Sequence, residues 1–518
     1  MRQLLLLWLV CAVLETGARC QPPTPPEEAA AVWHDLSKFP LEGKGWRDTK
    51  TLYDRLPARA EGIVRPPVWT LSQDSTGLRY RFVTAATFIR ARWKLREMIG
   101  TRLPHMAATG SSGVDLYVRY QGAWRALGVG MPYGENAEHT LVRGLSKDSR
   151  EYMLYLPLYN GVSSVELGLP RDASLEPAPE RDTSKKAIVF YGTSILQGCC
   201  ASRPGMAYPS ILGRMLDWPT INLGFSGNGR AEPEVANFLA ELDPVMFVLD
   251  PLPNLESGQV SGRLGSFVKI LRGRHPSTPI VLVENVAYTD SFLVETRRAR
   301  VAGSNRALRE VYNALVAAGD KHVLYVPSWA LFGSDGEDTV DGTHPTDIGA
   351  VRMARGMEPV LREAMALAGV SDPAEPGFEM GNAGAFWPHR RLRDFILRFD
   401  AAFDAPAPCG IVIRAGSVNA GIEVVLDGAR GSGSLLPAAG GDYLFHDPEG
   451  ARVLRREGWN KVEIRVFGDP ARIRVSMNGR IVSDYLSKAG VVPTGGGVVL
   501  RKSGKKVRIR NVRMKALP

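Results

Sequence analysis

The chain has 518 residues, is 44% apolar and 23% charged, and carries a formal net charge of +10. That length suits about three domains of roughly 100–200 residues, and that composition excludes a disordered or fibrous chain. The basic residues are dispersed and no nucleic-acid motif accompanies them, so the charge describes a solvated surface and implies no nucleic-acid partner.

Residues 1–20 read as a secretory signal: Arg2, an apolar run from Leu4 to Leu14 too short to span a bilayer, and small residues Ala18 and Cys20 before Gln21. A secreted or periplasmic protein is the expectation, with no membrane span elsewhere. Of the five cysteines, Cys199, Cys200 and Cys409 then remain. They are too few for a disulfide framework and are expected as buried free thiols, with Cys199–Cys200 or a pair with Cys409 as alternatives. No CxxC or HExxH spacing is present, so no metal and no cofactor are expected.

Residues 32–170 favour strands. Ile89, Ala91, Trp93 and Leu95 alternate with Arg90, Arg92 and Lys94, and Val114, Leu116, Val118 and Tyr120 alternate with Asp115, Tyr117 and Arg119. Period-two alternation broken by Gly and Pro predicts an antiparallel β-sandwich. His34, His105 and His139 are scattered through it and read as structural. A linker follows at 171–185.

The rhythm then changes. Apolar runs at 187–191, 220–224, 244–249, 279–284 and 322–327 alternate with helical stripes such as Ile211, Leu212, Met215 and Leu216, and a helix over 347–367 closes the unit. Strand–helix alternation over 183–370 predicts a parallel sheet covered on both faces, with its ligand site at the carboxyl ends of the strands. After a second linker at 371–377, residues 378–518 return to alternation. Asn478–Gly479 reads as a hairpin turn, because both residues accept positive φ.

Four pieces could meet at the carboxyl rim. Ser194 follows the first apolar run, at a strand-to-helix turn where a serine can act as nucleophile or merely cap the helix. Gly227, after the second run, can bring a backbone N–H close to a ligand or simply form a turn. Asn254, after the third, offers a neutral amide donor, or is an ordinary turn residue. Asp341 and His344 are three apart before the final helix. A carboxylate there can orient an imidazole base, unless the segment is only a surface loop.

In this order the four pieces resemble the blocks of the SGNH/GDSL hydrolase superfamily, over roughly 187–367. The resemblance implies an α/β, doubly wound, mainly parallel, flavodoxin-like sheet, here flanked by two all-β sandwiches. It implies Ser194 as nucleophile, His344 as base and Asp341 as its orienter. The Ser194 and Gly227 N–H groups and the Asn254 amide would form the oxyanion hole. The chain reads Gly-Thr-Ser-Ile where the superfamily has Gly-Asp-Ser-Leu, and Pro-Leu-Pro-Asn-Leu where it usually has Gly-X-Asn-Asp. With Cys200 to Pro209, these departures resemble a bacterial secreted subgroup whose hydrolase domain follows a β-sandwich and whose members include carbohydrate esterases. Arg203 and Tyr208, close after the nucleophile, are candidate substrate contacts, or else an ion pair and a core aromatic. The C-terminal part resembles the concanavalin-like 3-keto-disaccharide hydrolase domain through Gly458–Ile464, Met477–Gly479 and Val507–Arg513.

The expectation is a secreted, metal-independent serine esterase acting on an O-acyl, most simply O-acetyl, carbohydrate ester. A lipid or thioester hydrolase using the same residues, or an inactive glycan-binding surface protein, are the alternatives.

Overall fold

Alternating apolar residues fold the first part of the chain into two antiparallel sheets. The computed structural model describes residues 28, 30–97, 103–179, 186–333 and 335–370. Beyond these it describes 378–379, 386–392, 395–403, 409–417, 420–426, 435–437, 444, 458–467, 472–486, 496–502 and 507–516. The expected signal segment, residues 180–185 of the first linker and the linker at 371–377 lie outside the described residues.

The N-terminal strands are β1 (Val32–Asp35), β2 (Leu41–Glu42), β3 (Arg79–Thr84), β4 (Phe88–Leu95), β5 (Val114–Tyr120), β6 (Ala123–Gly130), β7 (Asn136–Arg143), β8 (Arg150–Tyr155), β9 (Val162–Leu169) and β10 (Glu176–Pro177). One sheet has the order β1-β9-β4-β7, the other β10-β3-β8-β5-β6, with β2 beside β3. Inward residues of both, among them Trp93, Leu167, Tyr80, Phe82, Leu116 and Tyr152, share one core. Phe82 and Tyr152 face each other across β3 and β8 and their rings stack at 5.5 Å. This is the expected sandwich. β5 departs from simple alternation: Asp115 and Tyr117, on the side expected to meet solvent, are buried. Arg203 and Gly205 of the following part reach Asp115, so both faces of this strand are covered.

The parallel sheet comprises β11 (Ile188–Gly192), β12 (Thr220–Gly224), β13 (Met246–Asp250), β14 (Ile280–Val283) and β15 (Val323–Val326), in the order β12-β11-β13-β14-β15. All their residues except Tyr325 are buried, as a sheet covered on both faces requires. The helices, numbered along the chain, are α1 (Pro66–Ser72), α2 (Ala108–Ser111), α3 (Ser194–Gln197), α4 (Tyr208–Met215), α5 (Pro233–Leu239), α6 (Ser257–Arg274), α7 (Glu295–Ala317) and α8 (Asp347–Leu367). The order reverses between β11 and β13, which opens a crevice at their carboxyl ends.

Trp46, Leu56, Val64, Val68 and Trp69 join the core of this sheet, although they precede β3. Wholly buried Arg55 donates to the carbonyls of Asn222 (3.0 Å) and Gly224 (2.9 Å) at the end of β12. Part of the stretch expected to form the sandwich therefore belongs to the parallel sheet's packing. Among the described residues, those up to Leu331 and Glu337–Arg355 form one compact unit, and those of Phe332–Gly336 and from Gly356 onward a second.

The second unit contains two further antiparallel sheets. One joins Phe378–Glu379, Val507–Ala516, Phe395–Phe403, Asn460–Phe467, Arg472–Met477 and Arg480–Leu486; the other joins Phe386–Leu392, Gly496–Lys502, Cys409–Ser417, Ala420–Val425 and Leu435–Pro437. Leu397, Phe399, Val462 and Ile464 of the first share a core with Ile411, Ile413, Ile422 and Val424 of the second. Asn478 and Gly479 take φ of +50° and +85° and close the expected hairpin. Among the described residues no helix is long and apolar enough to cross a membrane.

Candidate active site

β11 ends at Gly192, and the chain turns through Thr193 into α3, a single helical turn that begins at Ser194. Neighbours on several sides hold that turn. A Cβ on Gly224 would lie 2.4 Å from the backbone nitrogen of Gln197, so β12 passes α3 this closely only because residue 224 is glycine. The Asn222 amide donates to the Leu196 carbonyl at 2.8 Å. Gln197 donates to Asp74 (2.8 Å) and accepts from the Ser226 amide (2.9 Å), and the Tyr159 hydroxyl donates to the Ser194 carbonyl at 3.1 Å. Ser194 is thus fixed by both the sandwich and the sheet.

His344 Nε2 lies 2.8 Å from Ser194 Oγ, and His344 Nδ1 lies 2.7 Å from Asp341 Oδ2. With the proton on Nδ1, the imidazole donates to Asp341 and offers Nε2 to the serine hydroxyl. The other Asp341 oxygen accepts the amides of Thr343 (3.0 Å) and His344 (2.8 Å), an Asx turn that sets the pair three residues apart. Partial burial works against the Asp341 charge. The His344 amide and imidazole and the Thr343 amide outweigh it and hold the carboxyl at about 2. Arg297 braces the turn, donating to the Gly342 carbonyl at 3.1 Å and to Thr343 Oγ1 at 3.0 Å.

Two further donors stand at the same strand ends. Gly227 follows β12 with φ +66°, and among the described residues no heavy atom beyond its chain neighbours comes within 4 Å of where a Cβ would be. Asn254 closes the short turn Leu252–Asn254 after β13, and its Nδ2 is buried with no hydrogen-bond partner among the described residues. An unmatched buried donor is unfavourable unless something else accepts from it.

The candidate substrate contacts Arg203 and Tyr208 are both engaged by partners within the protein. Arg203 forms an ion pair at 2.7 Å with fully buried Asp115 and also bonds the Tyr117 hydroxyl. Tyr208 is buried and donates to Asp250 at 2.9 Å, and burial pushes Asp250 up to about 7. Both side chains turn inward, one to β5 and one to the end of β13. Cys199 and Cys200 are free and buried, as expected. His105, read as structural, lies beside the triad: its Nε2 is 3.8 Å from Asp341 Oδ2 and its ring centroid 5.6 Å from that of His344. No local pattern marks it, because the fold brings it there from the sandwich part of the chain.

A hydroxyl bonded to an imidazole that is bonded in turn to a carboxylate, beside a buried donor without an acceptor, is an arrangement suited to acyl transfer. A family model described as the GDSL-like lipase/acylhydrolase family matches residues 185–362. One described as the N-terminus of the SGNH-hydrolase-type esterases matches 31–175, and one described as a 3-keto-alpha-glucoside-1,2-lyase-like domain matches 354–515. A solved GDSL-like lipase from Bacteroides ovatus is 35% identical, with a TM-score of 0.62, over 65% of this chain and 98% of its own. Salicylyl-acyltransferase SsfX3 from a tetracycline biosynthetic pathway shares the fold at 21% identity and TM-score 0.52, over 66% of this chain and 98% of its own. A family two carbohydrate esterase from Clostridium thermocellum aligns at 15% identity and TM-score 0.41, over 57% of this chain and 96% of its own. No curated protein sequence matches the chain.

Proposed function

The chain belongs to the GDSL-like lipase/acylhydrolase family, and from that premise we propose that it is a secreted serine esterase that removes short acyl groups, acetyl foremost, from a carbohydrate through an acyl-Ser194 intermediate. The observation that carries the reading is the unbroken hydrogen-bonded chain Ser194–His344–Asp341. In the proposed cycle, His344 Nε2 takes the Ser194 proton as Oγ attacks the ester carbonyl carbon. The Ser194 and Gly227 amides and Asn254 Nδ2 receive the negative oxygen. His344 then gives its proton to the departing sugar oxygen. Water, deprotonated by His344, attacks the acyl-enzyme and releases the carboxylic acid and Ser194. Asp341, held ionised, keeps the imidazole in the required tautomer and stabilises it when charged. The family of the C-terminal part, a 3-keto-alpha-glucoside-lyase-like domain, supports a glycan as the alcohol.

A second reading, a lipid ester as substrate, has one specific observation in its favour. Phe292 and Leu293 are 73% and 77% exposed, on a segment whose Thr289 amide donates to the Gly342 carbonyl of the triad turn at 3.0 Å. Rates on an acetylated xylo-oligosaccharide and on 4-nitrophenyl esters of increasing chain length separate the two. The proposal expects the acetylated sugar to be deacylated and kcat/KM to fall beyond butyrate. A rise toward long chains that is abolished in Phe292→Ser/Leu293→Ser replaces it with the lipid reading.

A further inference from the structure

Three side chains that the esterase chemistry does not use converge on one that it does. Cys199 and Cys200 follow α3, which stops at Gly198 with φ +104°. The Cys199 amide still donates to the Ser194 carbonyl at 2.8 Å, and Cys200 takes a left-handed φ of +70°, uncommon for a residue with a Cβ. This reversal leaves the two thiol sulfurs 3.4 Å apart. His105 Nε2 comes to 3.6 Å from Cys199 Sγ. With His344, the ligand atoms of all four residues lie within 4.8 Å of one another.

We propose that His105, Cys199, Cys200 and His344 form a binding site for one soft divalent transition-metal cation, with Zn2+ as the probe, and that its occupancy switches off Ser194. The set is two sulfurs and two imidazole nitrogens, the donor types that select zinc over magnesium or calcium. Around zinc, bonds of about 2.3 Å to sulfur and 2.0–2.1 Å to nitrogen give tetrahedral edges of about 3.4–3.8 Å. The observed 3.4 and 3.6 Å separations already approach those edges. When His344 ligates through Nε2, Asp341 on Nδ1 is the outer carboxylate that commonly orients a metal-ligating histidine. Both histidines are partly exposed, which gives the ion a way in, whereas both thiols are buried.

The balance of the step is simple. The two thiols release two protons, the two imidazoles give lone pairs, and the site with a divalent ion is neutral. Binding therefore strengthens as pH rises. Nε2 of His344 now meets Ser194 and Nδ1 meets Asp341. Ligation through either nitrogen breaks one of these bonds, so the ion and the triad compete for one imidazole. The cation site stands on geometry alone. Its effect on Ser194 rests on the esterase reading.

The test uses the full chain, kept reduced and stripped with chelator. Cobalt(II) is titrated and followed by the near-ultraviolet thiolate-to-cobalt band, and Zn2+ is then added as competitor. Reactivity of Ser194 toward a fluorophosphonate is measured with and without Zn2+. The expected result is a band that saturates at one equivalent and is bleached by Zn2+. Affinity should fall at least about 10-fold in Cys199→Ala and in His105→Ala. Saturating Zn2+ should block labelling of the unaltered chain, chelator should restore it, and Cys199→Ala should label in the presence of the same Zn2+. Absence of a cysteine-dependent band overturns the site. A band with labelling indifferent to Zn2+ removes His344 from it. A normal band in a chain that never labels keeps the site and overturns the esterase reading instead.

Discussion

Replacing Asn254 with alanine should cut turnover sharply while leaving the fold as stable as before. Its Nδ2 is buried and has no hydrogen-bond partner among the described residues. A donor left that way costs a folded protein about 1–3 kcal/mol, so deleting it offsets much of the small void that alanine leaves. In the proposed cycle the same group meets the negative oxygen of the transition state. Loss of one such donor removes about 2.7–4 kcal/mol, a fall of about 10²–10³ in kcat. Steady-state hydrolysis of 4-nitrophenyl acetate and scanning calorimetry on the same samples measure both sides. Asn254→Asp, which turns the donor into an acceptor, should be at least as slow. A kcat within about threefold of the unaltered enzyme would mean that Asn254 does not meet the oxyanion. A lowered Tm large enough for unfolding to account for the lost activity would assign the loss to the fold instead.

Other outcomes follow from the same structure. Asp341→Asn should preserve folding yet lower kcat by about 10⁴, because the imidazole loses the partner that fixes its tautomer; kinetics with circular dichroism as a folding control tests this. Arg203→Ala should destabilise by about 3–5 kcal/mol in urea unfolding, because Asp115 stays buried without its counter-charge, while KM changes little. A large rise in KM at unchanged stability would instead make Arg203 a substrate contact. Burial raises Asp250 to about 7, above its unfolded value. The folded state therefore holds the extra proton between about pH 4 and 7, and this group's contribution to stability falls as pH rises through that window. Asp250→Asn should flatten that slope in unfolding measured pH by pH; an unchanged slope contradicts the assignment.

Much of this architecture is legible in the chain because its signals are local. Buried parallel strands must be apolar along their whole length, which marks Ile188–Tyr191 and Met246–Leu249 without further context. The Asp341–His344 arrangement is local too, since an Asx turn needs only the carboxylate and the two amides that follow. The direction of Arg203 and Tyr208 is not local. Nearness to Ser194 in sequence left open whether they turn outward to substrate or inward, and Asp115 and Asp250 decide that from 88 and 42 residues away. Asp115 shows the converse problem: it sits at an outward position of an alternating strand, yet that face is covered by residues from the parallel-sheet part. His105 carries no pattern at all, and only the packing of the sandwich against α3 places it 94 residues from its contact with Cys199.

If His344 and Asp341 activate Ser194, intact mass after treatment with a fluorophosphonate, on the unaltered chain and on Ser194→Ala, will show one adduct per chain that is absent from the variant. A folded chain that takes no adduct, or a variant that takes the same one, would mean that Ser194 is not the activated nucleophile.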